Sequence, residues 1–108
     1  MINVKPIIVI GCGGHALSVI DLISTHRNFE IVGLVGKKKD LGKNILGYPV
    51  LGTDEDLGSI RSKVDNAVIG IGQIKNAKLR YNMFQSLKSY DYKIPNIQSN
   101  NSYVSPYA

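Results

Sequence analysis

A short β-branched run, Pro6-Ile-Ile-Val-Ile10, passes directly into Gly11-Cys-Gly-Gly14 and then into a helical stretch opened by His15 and Ala16. An apolar run without polar alternation reads as a strand buried on both faces, the habit of parallel sheets. Beyond the glycines, Ala16, Val19, Ile20 and Ile23 fall at i, i+3, i+4 and i+7, while Ser18, Asp21 and Ser24 take the opposite side. That is the 3.6-residue period of a helix with one buried face. His26, Arg27 and Asn28 suit its C-terminal end, where cations and a left-handed Asn are favoured. Glu30-Ile-Val-Gly-Leu-Val35 reads as a second strand, so residues 6–35 make one βαβ unit.

The same alternation continues downstream. Residues 36–49 are rich in Gly, Lys and Asn and read as a long loop, with Pro49-Val-Leu51 as a short third strand. Thr53 reads as the N-cap of a helix with Asp54, Glu55 and Asp56 in its first turn, shortened by Gly58. Ala67–Ile71 is another buried strand, closed by Gly72. A helix over 76–90 carries Leu79, Met83 and Leu87 at four-residue spacing, with Phe84 beside them. Lys93–Ile97 reads as an edge strand, because Pro95 lacks an N–H. The expected fold is a small Rossmann-like α/β domain, a parallel sheet with helices on both faces. No internal repeat is legible.

The glycine loop is the segment that advertises chemistry. Gly11-Cys-Gly-Gly-His-Ala16 reads G-x-G-x-x-A, between a strand and a helix, where α/β sheets bind ligands. Glycines let the backbone approach a ligand with no Cβ intervening, and the free N–H groups of a helix start attract an anion. The candidate binding residues are Gly11, Gly13, Gly14, His15 and Ala16. Gly36, Lys37, Gly72 and Gln73 join them at the ends of the neighbouring strands. The bland alternative is a tight strand-to-helix turn with no ligand. His15 either packs the loop or gives a ring N–H to a phosphate or sugar. Lys37-Lys38-Lys39 is either a solvated loop or a ligand contact. Cys12 reads as a loop filler, since no second histidine lies nearby.

Composition narrows the classes. One cysteine excludes an internal disulfide, and no apolar run approaches the roughly 20 residues of a membrane span. No signal-like segment opens the chain, so a cytoplasmic location is expected. A net charge of +5 invites a nucleic-acid reading, but apart from Lys37–Lys39 the cations are scattered. Neither nucleic acid nor membrane is expected as a partner, and a lone cysteine makes no metal site. An NAD site expects an acid at the end of the second strand, to bind ribose hydroxyls; Val35-Gly36-Lys37 stands there.

The order of Gly-x-Gly-Gly-His-Ala16, Leu46-Gly-Tyr-Pro-Val-Leu-Gly52, Ile69-Gly-Ile-Gly72 and Lys78-Leu-Arg80 resembles the N-terminal domain of the sialic acid O-acetyltransferase and UDP-amino-sugar N-acetyltransferase family. Tyr103-Val-Ser-Pro-Tyr-Ala108 resembles the first turn of the left-handed β-helix that follows in that family. The resemblance implies a nucleotide-sugar-binding domain over 1–98, with a linker and the start of a truncated β-helix over 99–108. It further implies a role in surface glycan synthesis with a UDP-sugar or related sugar nucleotide as partner. The family's loop contacts fall on Gly13, Gly14 and His15, and its third-strand glycine on Gly72. Acetyl-CoA binding, the catalytic histidine and trimerisation belong to the absent β-helix, so no catalytic residue is assigned here and the chain alone is expected to be inactive. Two departures stand out: Val35-Gly36 replaces the family's paired nucleoside-binding acids, and Ile97-Gln-Ser-Asn-Asn101 lacks its histidine. The alternatives are an NAD(P)- or nucleotide-binding regulatory domain, and an interaction module with a vestigial loop.

Overall fold

A computed structural model describes residues 4–25, 28–70 and 77–95, apart from the side chains of His15, Ala77 and Leu79. Strand β1 (Lys5–Ile10) leads into helix α1 (Gly14–Ser24) and strand β2 (Phe29–Val35). Then come β3 (Asn44–Ile45), β4 (Tyr48–Gly52), the short helix α2 (Leu57–Arg61), β5 (Asn66–Ile69) and α3 (Ala77–Ser89). The sheet order is β3-β4-β2-β1-β5. All neighbours run parallel except β3, which pairs antiparallel with β4. Among the parallel strands, chain order therefore runs third, second, first, fourth, the order of the first four strands of a Rossmann sheet.

Two cores lie on opposite faces of that sheet, as alternating side chains of β1 require. Ile7 and Val9 pack with Ala16, Ile20 and Ile23 of α1 and with Ile31 and Leu34 of β2. Ile8 and Ile10 pack with Leu57 of α2, with Met83 and Leu87 of α3, and with Val64 and Tyr92. All four side chains Ile7–Ile10 are at most 1% exposed, which accounts for the unbroken apolar run. Phe84 lies outside this core and is exposed, with the Lys88 ammonium 5.7 Å from its ring centre.

Several element ends differ from expectation. Helix α1 stops at Ser24 with Thr25 still right-handed, its hydroxyl donating to the Leu22 carbonyl at 2.7 Å. His26 and Arg27 lie outside the described residues. The stretch 36–49 is more ordered than a long loop. It holds a 3-10 turn (Lys38–Asp40) and the β3–β4 hairpin, whose tip Leu46-Gly47 has φ of 51° and 88°. Leucine in a turn that favours Asn-Gly conceals it from a sequence reading. Helix α3 ends with Asp91 at φ 65°, the Asp91 amide donating to Lys88 and the Tyr92 amide to Leu87. This is a Schellman closure, and it folds Tyr92 onto Leu87 in the core. Of the expected last strand, Lys93 forms an isolated parallel bridge with Asn66, and residues 96 and 97 lie outside the described set.

Candidate functional site

At the C-terminal rim of the sheet, three glycine amides tie each strand exit to its neighbour. Gly36 donates to the Gly52 carbonyl at 3.0 Å, Gly11 to Val35 at 2.7 Å and Gly70 to Ile10 at 2.7 Å. Gly52, Gly36, Gly11 and Gly70, at the ends of β4, β2, β1 and β5, thus stand side by side. The chain-order reversal falls between β1 and β5, so the β1 loop borders the crevice where such sheets take ligands.

The candidate glycines divide into two groups. Gly11 has φ 118°, a conformation that L side chains rarely adopt, and its amide is spent on the ladder. Gly13 is extended (φ −84°, ψ −166°) and serves as N-cap of α1, so the special backbone conformation of the loop falls on Gly11. Among the described residues, a Cβ at Gly13 or Gly14 would meet no atom within 4 Å. No side chain caps α1 and no acid lies in its first turn. Among the described residues, nothing offsets the positive end of its dipole, a type of position that favours anions.

Ala16 contributes to packing. Its side chain is fully buried, its amide donates to the Gly13 carbonyl at 3.0 Å, and a Cβ at Gly70 would lie 3.3 Å from its methyl. His15 belongs to the first turn of α1, and its side chain lies outside the description. Gly72 and Gln73 also lie outside the described residues.

The β2 end holds a feature the sequence reading missed. A Cβ at Gly36 would lie 2.6 Å from Cys12 Sγ, 2.9 Å from Asp40 Oδ2 and 3.0 Å from Asp40 Cβ. Asp40 thus folds back over the 3-10 turn and brings a carboxylate to the place where Val35-Gly36 lacks one. Its Oδ2 accepts the Lys37 amide at 3.0 Å, and Lys43 Nζ lies 3.8 Å from Oδ1. The side chain of Lys37 is exposed. The next turn repeats the device, with the Thr53 amide donating to Asp56 Oδ2 at 2.8 Å beside Gly52. Gly36-Lys-Lys-Lys-Asp40 and Gly52-Thr-Asp-Glu-Asp56 share a five-residue pattern, the one signal that announces Asp40. The half-buried Cys12 thiol is pushed up from its ordinary pKa, first by burial, then by the Asp40 charge, with Lys43 opposing. The neutral thiol suits the loop-filling role.

Among the described residues no group of three or more His, Cys, Asp or Glu side chains is placed to hold a metal ion. No helix among them is long and apolar enough to cross a membrane.

Comparison with known proteins bears on this geometry. The chain is similar to perosamine N-acetyltransferase from Caulobacter crescentus, solved as histidine variants in complex with CoA and GDP-perosamine. The TM-score is 0.81 at 25% identity, covering 94% of this chain and 46% of that one. The chain thus spans about half the length of that acetyltransferase. UDP-D-quinovosamine 4-dehydrogenase from Vibrio fischeri follows at TM-score 0.68 and 13% identity, over 90% of this chain and 80% of that one. A Rex-family repressor gives 0.63 and 18%, over 92% and 50%. At these identities the last two share the fold alone. No curated protein matches the chain at a significant level. Residues 6–87, from β1 into α3, match the PglD N-terminal domain, and the chain belongs to that family.

Proposed function

We propose that this chain is the sugar-nucleotide-binding domain of an acetyl-CoA-dependent sugar N- or O-acetyltransferase acting in surface-glycan synthesis. The observation that carries the reading is the start of α1 at Gly13 and Gly14, open and uncapped among the described residues, in a chain of this family. A diphosphate over that helix start is held by backbone N–H groups and the dipole, without a dedicated cation. The perosamine acetyltransferase, solved with GDP-perosamine, supports an amino-sugar nucleotide as ligand, UDP- or GDP-linked. Acetyl-CoA binding, acetyl transfer and trimerisation belong to the portion of such an enzyme that these residues do not span.

Calorimetry with UDP- and GDP-amino-sugars tests the reading, on the parent and on Gly13→Val. The extended backbone of Gly13 accepts valine, so the variant folds, but the new side chain fills the ligand's approach. Binding falls at least tenfold. Equal binding by a folded Gly13→Val reduces the loop to a turn. The Asp40 carboxylate beside the glycine loop also favours a second reading, a dinucleotide site, since Rossmann sites hold a ribose with an acid there. NAD and NADP in the same titrations separate the two.

A further inference from the structure

We propose that the outer face formed by α2 and α3 is a self-association surface, on which a second copy of this chain docks about a two-fold axis. Exposed aromatics mark the face. Tyr81, Phe84 and Tyr90 are 61%, 38% and 41% exposed, and all three belong to α3 or to the turn that ends it. Tyr81 and Phe84 stand three residues apart and Lys88 four beyond Phe84, so they share the side of the helix opposite buried Met83 and Leu87. Tyr90 carries the surface across to α2. A Cβ at Gly58 would lie 3.3 Å from its ring, and Arg61 Nε donates to the Asp91 carbonyl at 3.2 Å. Aromatic side chains gathered at a surface in this way are typical of protein contacts.

Charge names the partner. Helix α3 carries Lys78, Arg80 and Lys88 and no acid. The turn that leads into α2 carries exposed Asp54, Glu55 and Asp56. Among the described residues, no ion pair joins Lys78 or Lys88 to that turn. One face thus offers a basic and an acidic area side by side, as a self-complementary two-fold contact requires.

The topology sets the register. The acidic turn follows Gly52, at the C-terminal rim of the sheet. Helix α3 runs away from that rim, because Lys93 beyond its end lies beside Asn66 at the start of β5. Lys78 therefore lies toward the rim, the end at which the acidic turn stands. A two-fold axis between the helices and parallel to the strands lays α3 of each copy over α2 of the other and keeps the rim ends together. Lys78 of each copy then meets the acidic turn of the other, while the aromatics close the middle. The aromatics supply the affinity, and the charges set register and salt dependence.

Sedimentation equilibrium of this chain over rising concentration is the test, with circular dichroism to verify that each variant folds. The parent passes from monomer to dimer, and the dimer weakens as salt is added. Tyr81→Ser combined with Phe84→Ser, both at exposed positions, weakens it roughly tenfold or more. Lys78→Glu and Glu55→Lys each weaken it, because either change sets like charges opposite one another in both halves of the contact. Mixed together, these two variants pair with each other, since acid then meets base at both places. A parent that stays monomeric overturns the proposal and leaves the face to a different partner. A dimer untouched by the aromatic substitutions overturns it as well, and so does a mixture no more associated than its two components.

Discussion

Replacing Gly36 by alanine inserts one methyl where the β1 and β2 loops meet. That carbon would sit 2.6 Å from Cys12 Sγ, 2.9 Å from Asp40 Oδ2 and 3.0 Å from Asp40 Cβ, all inside contact distance. The Gly36 backbone is not in the left-handed region, so the cost is steric alone. Overpacking of this kind costs about 1–3 kcal/mol. The loss of unfolded-state freedom on going from Gly to Ala returns about 0.4–1 kcal/mol. A net loss of roughly 1–2 kcal/mol lowers the melting temperature by about 4–8 °C per kcal/mol in a domain near this size. Thermal unfolding followed by circular dichroism measures it. Cys12→Ala in the Gly36→Ala background removes the closest of the three contacts and restores part of the loss, a coupling that a double-mutant cycle isolates. Gly13→Ala is the control: its Cβ meets no atom of the described residues within 4 Å, and the change costs less than about 1 kcal/mol. A Gly36→Ala protein that melts with the parent, or one that Cys12→Ala fails to rescue, refutes the placement of thiol and carboxylate around Gly36.

The raised pKa of Cys12 keeps its thiol protonated at neutral pH, so iodoacetamide modifies it more slowly in the folded than in the unfolded chain. Asp40→Asn removes one of the upward pushes and speeds the reaction; an unchanged rate counts against their contact. Tyr92→Phe deletes the buried hydrogen bond donated to the Leu57 carbonyl at 2.6 Å, and costs about 1–2 kcal/mol in urea unfolding. Burial raises the Tyr92 pKa, so its protonated form is the one the fold prefers. That stabilisation is complete below the ordinary tyrosine range and is lost as pH rises through the folded value. Urea midpoints of the parent therefore fall at alkaline pH, and less so in Tyr92→Phe.

What was legible in the sequence follows from how many residues repeat one instruction. Ile7–Ile10 are buried on both faces and α1 buries Ala16, Ile20 and Ile23 on one, so several side chains state each element redundantly. Strand β3 has two residues and a leucine at the turn, too little for a period to register. Tyr92 reached the core through Asp91 at φ 65°, where no glycine marked the turn. The glycine loop was legible as a strand-to-helix junction because its spacing carries meaning, yet its division of labour was not. That Gly11 and Ala16 hold the fold while Gly13 and Gly14 stand clear of the other described residues depends on dihedrals and neighbours that no residue type encodes. Asp40 was missed because an acid was sought at the strand end itself, and the chain returns it from five residues beyond Val35.

The three glycine bonds across the rim bear on how fast and how cleanly a ligand is taken up. Because the exits after β4, β2, β1 and β5 are anchored to one another, their ordering is completed when the sheet folds. A ligand arriving there meets a frame already assembled, and the entropy of association is limited mainly to its own motion. Such a frame separates two evolutionary tasks. Residues within the turns, lysines in one and acids in the next, can be exchanged freely, while the amides beneath them continue to hold the strand exits in place.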